Sequence, residues 1–279
     1  MSEIETFVGF DSAWTDSVKA PGAICAVAFR NGVPQSLIEP RLVRFDAALT
    51  FIQDLASRSD YTLVALDQPT IVPNQSSLRP VERVAGSVIG WIGGGVQPSN
   101  RGKKGMFCDD SPIWGFLAAL GASEDPEVAR TSRSGLHLIE VFPALALPAL
   151  EPEFFRYRGA PRYNPGNSRR FNVEHWGRVA ATAGLWFEHD GLDDAAHWCR
   201  GIAAMPEPKK ADQDRLDAML CLLISLRWRR HSRESSMMLG DLENGYMVVP
   251  ATPQTRARLE AAGTRRGVPI DGAVPPGRN

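Results

Sequence analysis

Three short apolar runs in this chain each end on a carboxylate: Asp11 in FVGFDSAW, Asp67 in TLVALDQP and Glu140 in HLIEVFP. Each run reads as a strand of sheet core, and Pro69 and Pro143, which have no ladder donor to offer, stop two of them. A charge at the end of a core strand is costly to bury unless it is paired or holds a metal, so three of them in one chain point to a shared cation.

Strand phase extends this reading. Side chains alternate across a sheet, so Phe7, Gly9 and Asp11 share a face, as do Leu63, Ala65 and Asp67, and then Leu138, Glu140 and Phe142. If the three strands are parallel neighbours about 4.8 Å apart, their carboxylates are expected to converge at the carboxyl-terminal edge, where open α/β sheets bind ligands.

A fourth acid comes from a helix. The segment DQDRLDAMLCLLISLRW, Asp212 to Trp228, places Leu216, Met219, Leu220, Leu223 and Leu226 at helical spacing, with Asp212 at the capping position. Asp217 falls beside Cys221, Ile224 and Trp228, on a flank without other charge, which marks it as functional. Asp214 lies near it, and as a first-turn acid it also complements the helix dipole.

The rest of the chain gives an element order. Residues 6–14, 23–32 and 34–43 read as strands, with Asn31-Gly32 as a hairpin turn between the second and third. An amphipathic helix over 45–58 precedes a strand at 62–68. The Gly- and Pro-rich stretch of about 70–135 is too long for a plain loop and is expected to be an insertion with some helix and a mobile part near the site. A strand at 137–142, helices at 171–184 and 212–230, and a last strand YMVVP at 246–250 follow. Residues 1–250 thus read as one α/β domain, and 251–279 as a C-terminal extension, with GVPIDGAVPPGRN disordered or loosely held.

Composition narrows the class. With 279 residues, 43% hydrophobic and 23% charged, the chain can bury a sizeable core. The acidic start MSEIETFVGF has no signal-peptide pattern, and no run approaches about 18 apolar residues, so a cytoplasmic location and no membrane partner are expected. Cys25, Cys108, Cys199 and Cys221 show no paired metal spacing and no disulfide framework, and His197 with Cys199 reads as local packing. Ser12 is not in a nucleophile elbow. Trp91, Phe107, Trp114 and Phe116 cluster in the insertion and are expected to pack in the core rather than form an exposed patch.

The acids in GFDSAW, VALDQP and IEVFP, the helix DRLDAMLCLLISLRW, the segment RPVERVA and the closing NGYMVVP, taken in this order and spacing over roughly residues 6–250, resemble the family called domain of unknown function 429. The resemblance implies an RNase H-like fold: a mixed sheet with a three-strand antiparallel meander plus parallel strands, flanked by helices. It also implies a nuclease, with Asp11, Asp67, Glu140 and Asp217 as the acidic cluster.

Such a cluster suits Mg²⁺ or Mn²⁺, because hard cations take carboxylate oxygens, and two ions about 3.5–4 Å apart can serve an in-line displacement at a phosphodiester without a histidine nucleophile. In that scheme Asp11 and Asp67 bridge or ligate directly, Glu140 ligates or orients water, and Asp217 completes the second site. Crowded carboxylates repel, so without metal at least one should have a raised pKa.

Substrate candidates are local, because a net charge of −1 is not that of a protein coated in positive charge for nucleic acid. FRYRGAPRYNPGNSRRF, residues 155–171, interleaves Arg156, Arg158, Arg162, Arg169 and Arg170 with four aromatic rings and no acid. It reads either as a surface for DNA or RNA or as a solvated basic loop. Arg101, Lys103 and Lys104 in RGKKG read either as a phosphate clamp or as a flexible surface loop. Two other function classes remain: an actin-like ATPase or kinase, for which no second GFDSAW-like lobe is found, and a non-catalytic binding or scaffold protein that keeps the acids. Oligomeric state is left open.

Overall fold

The computed structural model describes residues 3–273. In chain order the elements are β1 (Ile4–Asp11), β2 (Gly22–Arg30), β3 (Val33–Pro34), β4 (Ile38–Val43), α1 (Phe45–Ala56), β5 (Tyr61–Leu66), α2 (Pro80–Ile89), α3 (Pro112–Leu120), α4 (Pro126–Thr131) and β6 (Gly135–Glu140). There follow α5 (Pro143–Leu150), α6 (Val173–His189), α7 (Asp193–Ala203), α8 (Lys210–Arg230), β7 (Ser236–Asp241), β8 (Gly245–Pro250) and α9 (Pro253–Arg266).

The main sheet is mixed and runs β3-β2-β1-β5-β6, with β4 also paired to β2. β1 and β2 are antiparallel, whereas β1, β5 and β6 are parallel. Asn31 and Gly32 turn β2 into β3 with φ of 50° and 78°, the positive values that a tight hairpin turn demands. The strand expected over 34–43 is broken: Val33–Pro34 pairs briefly, and β4 resumes at Ile38 with a register shift opposite Ile24 and Ala26.

The sheet has two apolar faces. Phe7, Leu63, Ala65 and Ile139 pack against α5, α6, α7 and α8, and Val8, Phe10, Val64, Leu66 and Leu138 pack against α1 and α3. The helix α8 crosses β1 at Gly9, where an added Cβ would lie 2.1 Å from the Ala218 carbonyl oxygen and 2.4 Å from the Leu222 nitrogen, so this crossing requires glycine. It also sets the site, because Asp11 lies two residues further along the same face of β1 and meets the first turns of α8.

Several expectations are corrected. α8 starts at Lys210 rather than at Asp212, and Asp212 lies inside its first turn, accepting from the Lys209 backbone N–H at 2.9 Å. It is buried on nearly all sides from Leu216 to Trp228, as a helix apolar all round must be. The 70–135 stretch contributes α2, α3 and α4, and in it Phe107 and Phe116 are buried while Trp91 and Trp114 are half-buried. α2, α9 and the β7-β8 hairpin build a second core from Val81, Val84, Val88, Leu239, Val249 and Leu259.

The C-terminal extension is therefore not loose over 251–273. Val268 and Ile270 are buried, and Asp271 pairs with Arg233 at 2.7 Å and Arg256 at 2.6 Å. Residues 274–279 of the expected loose tail lie outside the described residues. The helix α7 and strand β7 had no counterpart in the sequence reading. On α7 Cys199 is buried and His197 exposed, so the pair does not face one partner. All four cysteines are free. Among the described residues no helix is long and apolar enough to cross a membrane.

Candidate metal centre and adjoining cleft

Asp11 and Asp67 stand at the carboxyl ends of two adjacent parallel strands. The β1–β5 register pairs Phe7 with Leu63 and Gly9 with Ala65, and the Asp67 N–H donates to the Phe10 carbonyl at 2.9 Å, so both carboxylates leave the sheet on the face covered by α8. Neither carboxylate accepts a hydrogen bond from a described residue. The backbone around them is fixed instead: Trp14 Nε1 donates to the Asp67 carbonyl at 3.1 Å, and buried Gln68 accepts from the Ser12 hydroxyl, tying the two strand exits together.

Asp217 comes from the first half of α8. Tyr163 donates its phenol O–H to Asp217 Oδ1 at 2.8 Å, and Gln213 Nε2 donates to Oδ2 at 2.8 Å. Gln213 Oε1 is buried without a hydrogen-bond partner among the described residues. Lys210 forms an ion pair with Asp214 in the same turn.

The electrostatics follow from this crowding. Burial, then the charges of Asp217 and Asp67, push Asp11 well above the usual carboxylate range, with Lys210 opposing. Burial, then Asp217 and Glu140, do the same to Asp67. Burial pushes Asp217 up to about 6, held back by Lys210, Tyr163 and Gln213. For Lys210 burial works against the charge, but Asp214, Asp217 and Asp11 outweigh it and its pKa is raised. The expected raised pKa is thus found at all three aspartates. Their oxygens are hard donors, although among the described residues no three His, Cys, Asp or Glu side chains are drawn together as a closed metal-holding group.

Glu140 corrects the phase expectation. β5 and β6 pair Leu66 with Glu140 and Ala65 with Ile139, so Glu140 leaves the sheet on the face opposite Asp67. There Arg79 grips it with two hydrogen bonds, Nη2 to Oε1 at 2.6 Å and Nη1 to Oε2 at 3.0 Å, and the Thr70 N–H adds a third at 3.0 Å. The Arg79 Nε reaches Glu82 at 2.9 Å and its Nη1 also donates to the Ile71 carbonyl at 2.9 Å. Arg79 is fully buried, and Gly245 is glycine because a Cβ there would lie 2.7 Å from Arg79 Nη1. Burial raises the Glu140 carboxyl and Arg79 pulls it back. Beside this network Glu124, to which Thr70 donates, is raised to about 7, mainly by burial.

A cleft opens on the acids and adjoins a second, basic one. One, of about 320 Å³, is lined by Asp67, Asp217, Gln213, Trp14 and Tyr163, with Glu140 and Glu82 on its far wall. The other, of about 650 Å³, runs between Gly90–Gly95 and the basic segment and is lined by Tyr157, Arg158, Arg162 and Arg170. Gly95, Tyr163 and Asn164 line both, so the two clefts adjoin. Asp11 opens on a third cleft of about 480 Å³ with Lys210 and Asp214, which shares Trp14 and Gln97 with the first.

A family model described as protein of unknown function (DUF429) matches residues 9–238. The chain belongs to the DUF429 family. No curated protein and no solved structure matches it.

Among the candidate residues of this DUF429 chain, Asp67 and Asp217 line one cleft, their charges act on Asp11 at the neighbouring one, and Arg158, Arg162 and Arg170 line the larger cleft. Arg156 and Arg169 are exposed outside its lining. Arg101 is committed elsewhere: its Nε donates to the Val72 carbonyl at 2.8 Å and its guanidinium stacks 4.1 Å from the Trp114 ring centre. Lys103 and Lys104 lie on the same loop outside the acid-lined clefts. Lys210, Tyr163, Gln213 and Arg79 were missed as site residues. Arg79, inside the RPVERVA segment, and Tyr163, one of the rings interleaved with the 155–171 arginines, carried a sequence signal, though not for these roles.

Proposed function

We propose that this DUF429 protein is a metal-dependent phosphodiester hydrolase on an RNase H-like sheet, acting on nucleic acid, with Asp11, Asp67 and Asp217 holding Mg²⁺ or Mn²⁺. One observation carries the reading: buried Asp11 and half-buried Asp67, at the ends of neighbouring parallel strands, are carboxylates without a donor among the described residues, and Asp67 lines a cleft that adjoins the arginine-lined one. Buried charge without a partner is the arrangement a cation relieves. The strand order, with an antiparallel meander beside parallel β1, β5 and β6, supports the fold assignment.

The donor set fits a hard cation: three carboxylates and the free Gln213 Oε1, all oxygen. When bound, such an ion supplies positive charge to the phosphoryl oxygens and lowers the pKa of a water it holds. The protein's own groups do the rest. Tyr163 and Gln213 fix the Asp217 carboxylate from both oxygens. Lys210 offsets part of the negative charge. Arg158, Arg162 and Arg170 attract the phosphate backbone toward the site. Arg79 satisfies Glu140, which braces the far wall rather than competing for the ion.

Hydrolysis of bis(p-nitrophenyl) phosphate with Mn²⁺ tests this. Turnover by the wild type that is absent from both Asp11→Asn and Asp67→Asn is expected. Equal turnover in these folded variants would refute the assignment.

A further inference from the structure

We infer that the two adjoining clefts take an unpaired nucleic-acid strand, its phosphates anchored by Arg158, Arg162 and Arg170, and exclude a duplex. This rests on the phosphodiester reading above and adds the form of the substrate.

The acids lie deep. Asp11 is 9% and Asp217 6% exposed, and Asp67 is reached from the narrower cleft. The larger cleft is walled closely, because its two sides are stitched together: Arg158 N–H donates to the Trp91 carbonyl at 3.1 Å and Ala160 N–H to the Ile92 carbonyl at 2.8 Å. At Gly93, with φ of 91°, a Cβ would lie 3.3 Å from the Arg158 Cα. Volumes of about 650 and 320 Å³ are those of pockets that enclose small ligands, roughly 300–1,000 Å³, and so suit a few unstacked nucleotides. A duplex is stiff, with a persistence length of about 150 bp, and carries its phosphates on a convex surface, so it cannot lower one of them to a buried carboxylate. A single strand bends freely.

The lining chemistry agrees. The Tyr157 ring is 66% exposed and lines the cleft, with the Arg158 guanidinium 5.4 Å from its centre, a ring on which a base can stack. Among the described residues no acid is bonded to these three arginines, which leaves their charge for phosphates. Tyr163, whose hydroxyl holds Asp217, lines both clefts, so a strand held by the arginines reaches Asp217 and Asp67.

The test is fluorescence anisotropy in EDTA, with a labelled 12-nucleotide single strand of DNA or of RNA and the same strand hybridised to its complement. At low salt the single strand is expected to bind at least tenfold tighter than the duplex. The triple change Arg158→Gln, Arg162→Gln, Arg170→Gln should remove most of that affinity and reduce the slope of log K against log salt by about 2, at about 0.7 per phosphate contact. Arg156→Gln with Arg169→Gln, outside the cleft, should change neither, and Tyr157→Ala should weaken binding about tenfold. Duplex binding as tight as single-strand binding, no binding at all, or equal losses in the triple and control variants would overturn the inference. Mn²⁺ binding and small-ester hydrolysis are read on the same preparations. Strand binding without them sinks the hydrolase reading and leaves the cleft, and the reverse result sinks the cleft alone.

Discussion

Asp67 and Glu140 end neighbouring strands, yet the protein treats them in opposite ways. Glu140 is met by a buried arginine that donates to both its oxygens and by the Thr70 amide. Asp67 receives no donor from a described residue, and the charges of Asp217 and Glu140 act on it, as its own does on Asp11. Both sites bury charge, but one is complete within the protein and the other is left open to something else. A buried acid that is paired is part of the architecture; one left unpaired at a cleft is stored electrostatic free energy that a ligand can release.

The largest break in that comparison is Arg79→Met, which leaves Glu82 and Glu140 buried without their partner. It should destabilise the protein by about 3–5 kcal/mol in urea denaturation. A loss below about 1 kcal/mol would mean that water or a neighbour satisfies these acids.

The open site should show the opposite behaviour, first through pH. Asp217 is raised from 3.8 to about 6, so the folded state binds its proton more tightly than the unfolded chain. Metal-free stability should therefore fall as pH rises from about 4 to about 6, by about 3 kcal/mol at about 1.4 kcal/mol per unit. Asp217→Asn should flatten this dependence in EDTA, and an unchanged slope would locate it elsewhere.

Asp67→Asn comes next. By relieving repulsion it should stabilise the metal-free protein by about 0.5–2 kcal/mol, the usual range for a favourable substitution, as read from its denaturation midpoint. Destabilisation would mean that Asp67 has partners. The smallest change is Tyr163→Phe, which removes one hydrogen bond to Asp217 at a cost of about 1 kcal/mol and raises the Asp217 pKa further, seen by NMR titration of its carboxyl.

Much of this arrangement was legible in the sequence. The strand exits at Asp11 and Asp67, the Asn31-Gly32 turn and the buried face of Asp217 all followed from periodicity and turn chemistry. The phase of Glu140 did not, because it depends on register. Asp67 lies one residue beyond the pairing of β5, whereas Glu140 is the last paired residue of β6, and an offset of one residue reverses the face. Tyr163 and Arg79 reach their partners across 54 and 61 residues, contacts that no local pattern records. The C-terminal stretch was expected to be loose as a chain terminus, but up to residue 273 Val268, Ile270 and Asp271 pin it to the second core. Arg101 was left between a phosphate clamp and a flexible surface loop, because no local pattern shows that the fold directs it onto Trp114.

The most direct test titrates Mn²⁺ by calorimetry into the wild type, Asp67→Asn and Glu140→Gln. Binding that is lost in Asp67→Asn and kept in Glu140→Gln is the predicted result. Binding kept in Asp67→Asn and lost in a folded Glu140→Gln would contradict the division between the two acids.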